Sequence, residues 1–172
     1  MNDEIQQYIN LLIPNRSDIF QRMEKDAEEN NVPIMEATGM EALLQVLRIG
    51  QPRSILEVGT AIGYSALRMV DAVPNSRVVT IERDEERFRK AEKYIEMAGK
   101  KEQIHLIKGD ALEVEDIIKD LGPYDAIFID AAKGQYKRFF EIYSNYLSDN
   151  GLIITDNVLF KGLVCEPHIE NR

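Results

Sequence analysis

The 172 residues include no tryptophan, a single cysteine and only two histidines. One cysteine, Cys165, excludes an internal disulfide and any cysteine-rich metal site, and it fits a reducing compartment. His105 falls inside a strand-like stretch and His168 near the end of the chain, a spacing that suggests neither a histidine metal site nor a catalytic triad. Long apolar runs are missing too, since no segment approaches the roughly 20 residues that span a bilayer. The opening stretch MNDEIQQYINLLIP carries acids where a secretory leader needs lysines. A soluble, cytoplasmic chain with no membrane partner is expected. Positive charge is in short supply as well: 21 basic against 30 acidic side chains leave a net charge of -9. The overall field therefore repels polyanions, and any nucleic-acid contact must rest on a local basic patch.

What is present suits one globular domain over 1–172, with a hydrophobic fraction of 44%. Helical spacing marks residues 3–30 (Ile5, Tyr8, Ile9, Leu12, then Ile19 and Met23), broken at Pro14. A second helix is expected after Pro33, with Met40, Leu43, Leu44 and Leu47 on one face and Gly50 as its stop. These make an N-terminal helical cap over 1–50, ahead of a binding core over 53–160.

From residue 53 the texture changes to short apolar runs separated by amphipathic segments. Strands are read at 54–58, 77–82, 104–109, 124–130 and 151–156, with helices around 63–73, 85–98, 113–120 and 135–147. Near-continuous apolar strands between helices predict a parallel sheet covered on both faces. Right-handed crossovers then give a Rossmann-like, doubly wound α/β fold with strand order 3-2-1-4-5. Ligands of such sheets bind beyond the carboxyl ends of the strands. Glu57, Glu82, Asp110, Asp130 and Asp156 stand at or near those ends, so five carboxylates along one edge mark a candidate site. Any one of them alone could equally cap the following helix.

The stretch ILEVGTAIGYS (55–65) reads as a strand, a glycine turn and a helix start. Gly59 and Gly63 would let backbone approach a ligand, or would simply make a tight turn. Ser65 and Ala66 stand where the dinucleotide fingerprint needs its third glycine, which argues against pyrophosphate. Glu82 can accept both hydroxyls of a ribose. Asp110, with the backbone of Ala111, is placed for an adenine edge. A nucleoside without phosphates and with a positive charge, such as S-adenosylmethionine, matches these acids. RDEERFRKAEKYIEMAGKK (83–101) is expected to be a solvated helix with opposite-charge pairs.

The motifs LEVGTAIGYSA, VVTIERD, GDAL, FIDAAKGQY and ITDNVLF resemble those of the class I methyltransferases of the catechol and caffeoyl-CoA O-methyltransferase family. The likeness extends further to bacterial tRNA 5-hydroxyuridine methyltransferases. The resemblance implies S-adenosylmethionine contacts from Met35, Gly59, Ser65, Glu82, Asp110, Ala111 and Asp130. It implies a divalent metal, Mg²⁺, on Asp130, Asp156 and Asn157, with Lys133 beside Asp130 as general base, and a homodimer. These ligands are all hard oxygens, which suit Mg²⁺ and not Zn²⁺. Lys133 read by itself would be an ordinary surface lysine. Family members continue past the DN motif with a helix and two strands, so the sheet is expected to be incomplete at its C-terminal side. tRNA is the expected acceptor, served by local charge from Lys133, Lys137, Arg138 and Lys161. A small catechol-like phenol is the alternative, which the lack of tryptophan for a deep aromatic wall disfavours. A non-catalytic S-adenosylmethionine-binding module is the third reading.

Overall fold

The structure, a computed structural model, describes residues 3–131 and 133–158. Three helices open it: α1 (Asp3–Leu12), α2 (Asp18–Glu29) and α3 (Ala37–Gly50). Pro14 falls in the break between the first two, since a helix interior would lose a hydrogen bond to it. α3 ends at Gly50, as expected, but the glycine does not make the left-handed turn. The left-handed residue is Gln51 (φ 47°), whose N–H donates to Leu47 O at 2.8 Å and whose side-chain amide donates to Arg48 O at 2.7 Å. Two carbonyls of the last turn are thus satisfied without the glycine.

Strands and helices then alternate as β1 (Ser54–Val58), α4 (Tyr64–Ala72), β2 (Arg77–Glu82), α5 (Glu85–Met97), β3 (Ile104–Lys108), α6 (Glu115–Leu121), β4 (Tyr124–Ile129), α7 (Tyr136–Tyr143) and β5 (Leu147–Thr155). Short 3₁₀ turns, Lys133–Gln135 and Ser144–Tyr146, flank α7. The described strands form one parallel sheet in the order β3-β2-β1-β4-β5, the doubly wound order that the alternation predicts. The chain runs outward from β1 to β3 and returns to β4, so its direction switches between β1 and β4.

β5 begins earlier than the apolar run at 151–156 suggests, because Leu147 already pairs with Tyr124 before the register slips to Ala126 opposite Leu152. Gly151 permits that slip: a Cβ there would lie 2.7 Å from Leu147 Cδ1 and 3.1 Å from Asp125 O. Alternation along the strands divides the core. Ile55, Val78, Ala126 and Phe128 face α2, α3, α4 and α5, while Leu56, Val79, Ile127 and Ile129 face α6 and α7. Both faces of β1, β2 and β4 are covered, which is why those strands read as nearly continuous apolar runs. α5 is only partly a solvated helix. Arg89 and Glu85 pair on its surface at 2.8 Å, but Ala91, Tyr94 and Ile95 are buried, and Lys90 and Tyr94 both reach Asp26 of α2.

Candidate active site

A cleft of about 1170 Å³ opens along the carboxyl ends of the strands, walled on its far side by the segment between α2 and α3. Glu82, Asp110, Asp130 and Asp156 line it from the ends of β2, β3, β4 and β5, with Met35, Thr38 and Gly39 opposite. Four carboxylates along one lip favour a cationic ligand.

Two sequence candidates fall outside this lining. Glu57 is fully buried beneath the cleft floor, where Oε1 accepts from Ser65 Oγ and Oε2 accepts from Thr80 Oγ1 at 2.5 Å. Thr80 is in turn hydrogen-bonded to Thr60 at 2.5 Å, so the carboxyl braces Ser65 and Thr60, two residues that do line the cleft. Burial pushes the Glu57 carboxyl up to about 7; the charges of Asp130 and Glu82 add to the rise and the hydroxyl donors oppose it. Gly63 turns towards α5 instead. Its φ is 87°, and a Cβ there would sit 3.4 Å from the Cα and Cβ of Ala91, so it packs the start of α4 against that helix.

Gly59 lines the cleft, and its close approach is to protein. At φ 107°, an added Cβ would stand 2.3 Å from the carbonyl oxygen of Asp130. The β1–α4 turn thereby abuts the end of β4 and sets where Asp130 can lie. Glu82 is held by two backbone donors, Ala61 N to Oε2 and Asp84 N to Oε1, each at 2.8 Å. That grip orients the carboxylate and leaves its remaining lone pairs for a diol. Asp110 accepts from Leu112 N at 2.9 Å and pairs with the exposed Arg83 at 3.3 Å, while the buried Tyr143 hydroxyl pins Ala111 by its carbonyl.

Asp130 and Asp156 extend neighbouring strands from the aligned pair Ile129 and Thr155, so they stand side by side about one strand spacing, ~4.8 Å, apart. Asp130 N donates to Val58 O at 3.0 Å and Asp156 N to Ile129 O at 3.2 Å, which anchors both backbones. Asn157, in the left-handed region at φ 57°, donates its side-chain amide to Asp156 Oδ2 at 2.6 Å. Among the described residues no three His, Cys, Asp or Glu gather as a metal site; the candidate donor set is this carboxylate pair with the Asn157 amide. The neighbouring Tyr136 hydroxyl is buried and has no hydrogen-bond partner among the described residues. Burial, reinforced by Asp130 and Asp156, raises it to about 12. Adjacent hard-oxygen groups beside this buried hydroxyl have the chemistry that a hydrated divalent cation would need. Lys133 opens the 3₁₀ turn that follows Asp130, and its side chain lies outside the described residues, as do Lys161, Cys165 and His168.

Sequence reasoning missed Tyr64, Thr60, Arg83 and Gln135 in the lining. Each sits inside a motif already singled out, Thr60 and Tyr64 in LEVGTAIGYSA, Arg83 in VVTIERD and Gln135 in FIDAAKGQY, so their positions were available. No helix among the described residues is long and apolar enough to cross a membrane.

The family described as "O-methyltransferase" matches residues 14–172. A catechol O-methyltransferase of Niastella koreensis is 31% identical over 171 residues, covering 96% of this chain and 77% of that protein. Among solved structures, a Staphylococcus aureus protein provisionally assigned as a caffeoyl-CoA O-methyltransferase is 38% identical with a TM-score of 0.86, covering 97% of this chain and 79% of its own. A Bacillus cereus O-methyltransferase in complex with SAH is 27% identical with a TM-score of 0.88, covering 98% of this chain and 79% of its own. With that match over nearly its whole length, and with the acid-lined cleft at the strand ends, the chain belongs to the O-methyltransferase family and is an S-adenosylmethionine-dependent O-methyltransferase.

Proposed function

We propose that the chain methylates one of two neighbouring oxygens on its acceptor with the help of Mg²⁺, and that the acceptor is 5-hydroxyuridine in tRNA. The observation that carries the metal reading is the pairing of Asp130 and Asp156 at the ends of adjacent strands, with Asn157 next to them, at one end of the cofactor cleft. A half-turn of the Asn157 amide would present its oxygen beside the Asp156 carboxylate. When bound, the cation would hold two vicinal oxygens and acidify the reacting hydroxyl. Glu82 would take the ribose diol, and Asp110 with Ala111 the adenine edge. Lys133, three residues past Asp130, would accept the proton released from the acceptor hydroxyl. Carboxylates around the cleft suit the positive sulfur of the cofactor, and fixed donors and acceptors keep the methyl and the oxygen in reach.

Two features support an RNA acceptor. O4 and O5 of 5-hydroxyuridine are adjacent oxygens of the kind that a catechol offers. Lys137 and Arg138 are exposed on α7, directly after the cleft residue Gln135, and bring local positive charge to a chain of net charge -9. A small catechol-like phenol is the second reading, favoured by the names of the relatives. Rates on 5-hydroxyuridine tRNA and on free catechol, compared side by side over a salt series, decide between them. Faster turnover of tRNA, with a preference that shrinks as salt rises, is expected. Preference for catechol at every salt concentration would transfer the function to the phenol.

A further inference from the structure

Arg68 is an unusual residue to find in the core. It lies on α4 and is 6% exposed, yet it does not line the cleft. Its Nη1 donates to the Tyr64 hydroxyl at 2.8 Å and its Nη2 to Glu41 Oε1 at 2.5 Å. The guanidinium also lies 5.2 Å from the ring centroid of Phe20 and 5.6 Å from that of Tyr64. Tyr64 passes the chain of contacts on, donating its hydroxyl to Glu24 at 2.6 Å, and both oxygens of Glu24 accept from Arg16 at 2.8 Å. Burial alone would raise the Glu24 carboxyl, but the donors Arg16 and Tyr64 outweigh it and hold the group low.

Three helices meet in this network: α2 through Phe20 and Glu24, α3 through Glu41, and α4 through Tyr64 and Arg68. The segment that joins α2 to α3 supplies the far wall of the cleft through Pro33, Ile34, Met35 and Glu36, and Tyr64 lines the cleft from the near side. The apolar faces of α2 and α3 (Met23, Ala27, Met40, Leu44) hold those helices to the sheet, but such contacts are non-directional and tolerate sliding. Directional bonds do not tolerate it: Arg68 holds α3 through Glu41, and Tyr64, which Arg68 fixes on its own helix, holds α2 through Glu24. A buried ion pair adds little net stability over an apolar packing of similar volume, so its value here is geometric.

We propose that Arg68 is a positioning residue for cofactor binding: its clasp on Glu41 and Tyr64 fixes the 33–39 wall at the distance from α4 that the cofactor requires. The clasp acts on the free protein, keeping the wall in its binding-competent place, and leaves the chemical step to the residues at the strand ends. This role is independent of the acceptor and of the metal.

The test uses Arg68→Met, which keeps length and apolar bulk, and Glu41→Gln, which keeps shape but removes the charge. SAH affinity by calorimetry should weaken on the order of tenfold, the factor that follows when about a tenth of the molecules hold the competent wall. Backbone hydrogen exchange in the ligand-free variants should speed up at 33–39 with the sheet unchanged, and kcat at saturating S-adenosylmethionine should stay within about twofold. Arg68→Lys should fail to restore affinity, since an ammonium cannot fork between the two partners. Unchanged SAH affinity in both variants would overturn the proposal. So would exchange that rises across the strands as much as at 33–39, because the arginine would then support the fold as a whole. If Arg68→Met does not fold, Glu41→Gln alone decides between these outcomes.

Discussion

Glu57→Gln should make the protein more stable at neutral and alkaline pH while leaving it nearly unchanged in acid. The Glu57 carboxyl is fully buried, and its pKa is pushed up from 4.5 to about 7. An unfolded chain releases this proton near the ordinary carboxylate value, so between about 4.5 and about 7 the folded state binds more protons than the unfolded one. Stability from this group is therefore fully present below the window and is lost as pH rises through it. At about 1.4 kcal/mol per pH unit, the loss at pH 8 is about 3 kcal/mol. Glutamine keeps partners for the hydroxyls of Ser65 and Thr80 without a charge to desolvate, so the variant should not show that loss. Urea denaturation of both proteins at several pH values from 4.5 to 8 measures the difference directly. Glu24, Asp26 and Asp125, all held low, titrate in both proteins and drop out of the comparison. A stability difference that stays constant across this range would refute the assignment of a buried, proton-holding carboxyl.

Glu82→Ala should weaken S-adenosylmethionine binding by roughly 1.5–3 kcal/mol for each charge-assisted hydrogen bond lost, read by calorimetry; unchanged affinity would remove Glu82 from the ribose site. Asp156→Ala should abolish metal-dependent turnover yet still bind SAH, and full wild-type activity in excess chelator would exclude the metal mechanism. Gly59→Ala should destabilise by at least the ~1–3 kcal/mol of a strained φ. Its Cβ would also collide with backbone of Asp130 at 2.3 Å, so cofactor binding should fall with it; a fully active, equally stable variant would show that the turn can move away.

The sheet was legible because its inner strands β1, β2 and β4 are buried on both faces. Burial on both sides makes runs such as SILEV and YDAIFI largely apolar, with Glu57 and Asp125 as exceptions, and their limits matched to within a residue at β1, β2, β3 and β4. β5 was the exception. Its early start depends on a register slip at Gly151 that only the contact with Leu147 and Asp125 reveals. Carboxylates at strand ends were legible as a set for the same topological reason: parallel strands deliver their ends to one edge.

By itself the sequence determined the alternation, the strand limits and the row of acids, because each of these is written in local periodicity and in residue type. Tertiary structure decided which acids face the cleft. Alternation around a strand end can turn a side chain either way, and packing sent Glu57 inward onto Ser65 and Thr80 while Glu82, held by Ala61 and Asp84, stayed at the cleft. It also decided that Gly59 meets Asp130 and Gly63 meets Ala91. The Arg68 clasp joins residues 27 and 40 positions apart in the chain, Arg68 to Glu41 and Tyr64 to Glu24. No local pattern encodes such a meeting, since only the packing of α2 and α3 against α4 brings those side chains within reach of one another.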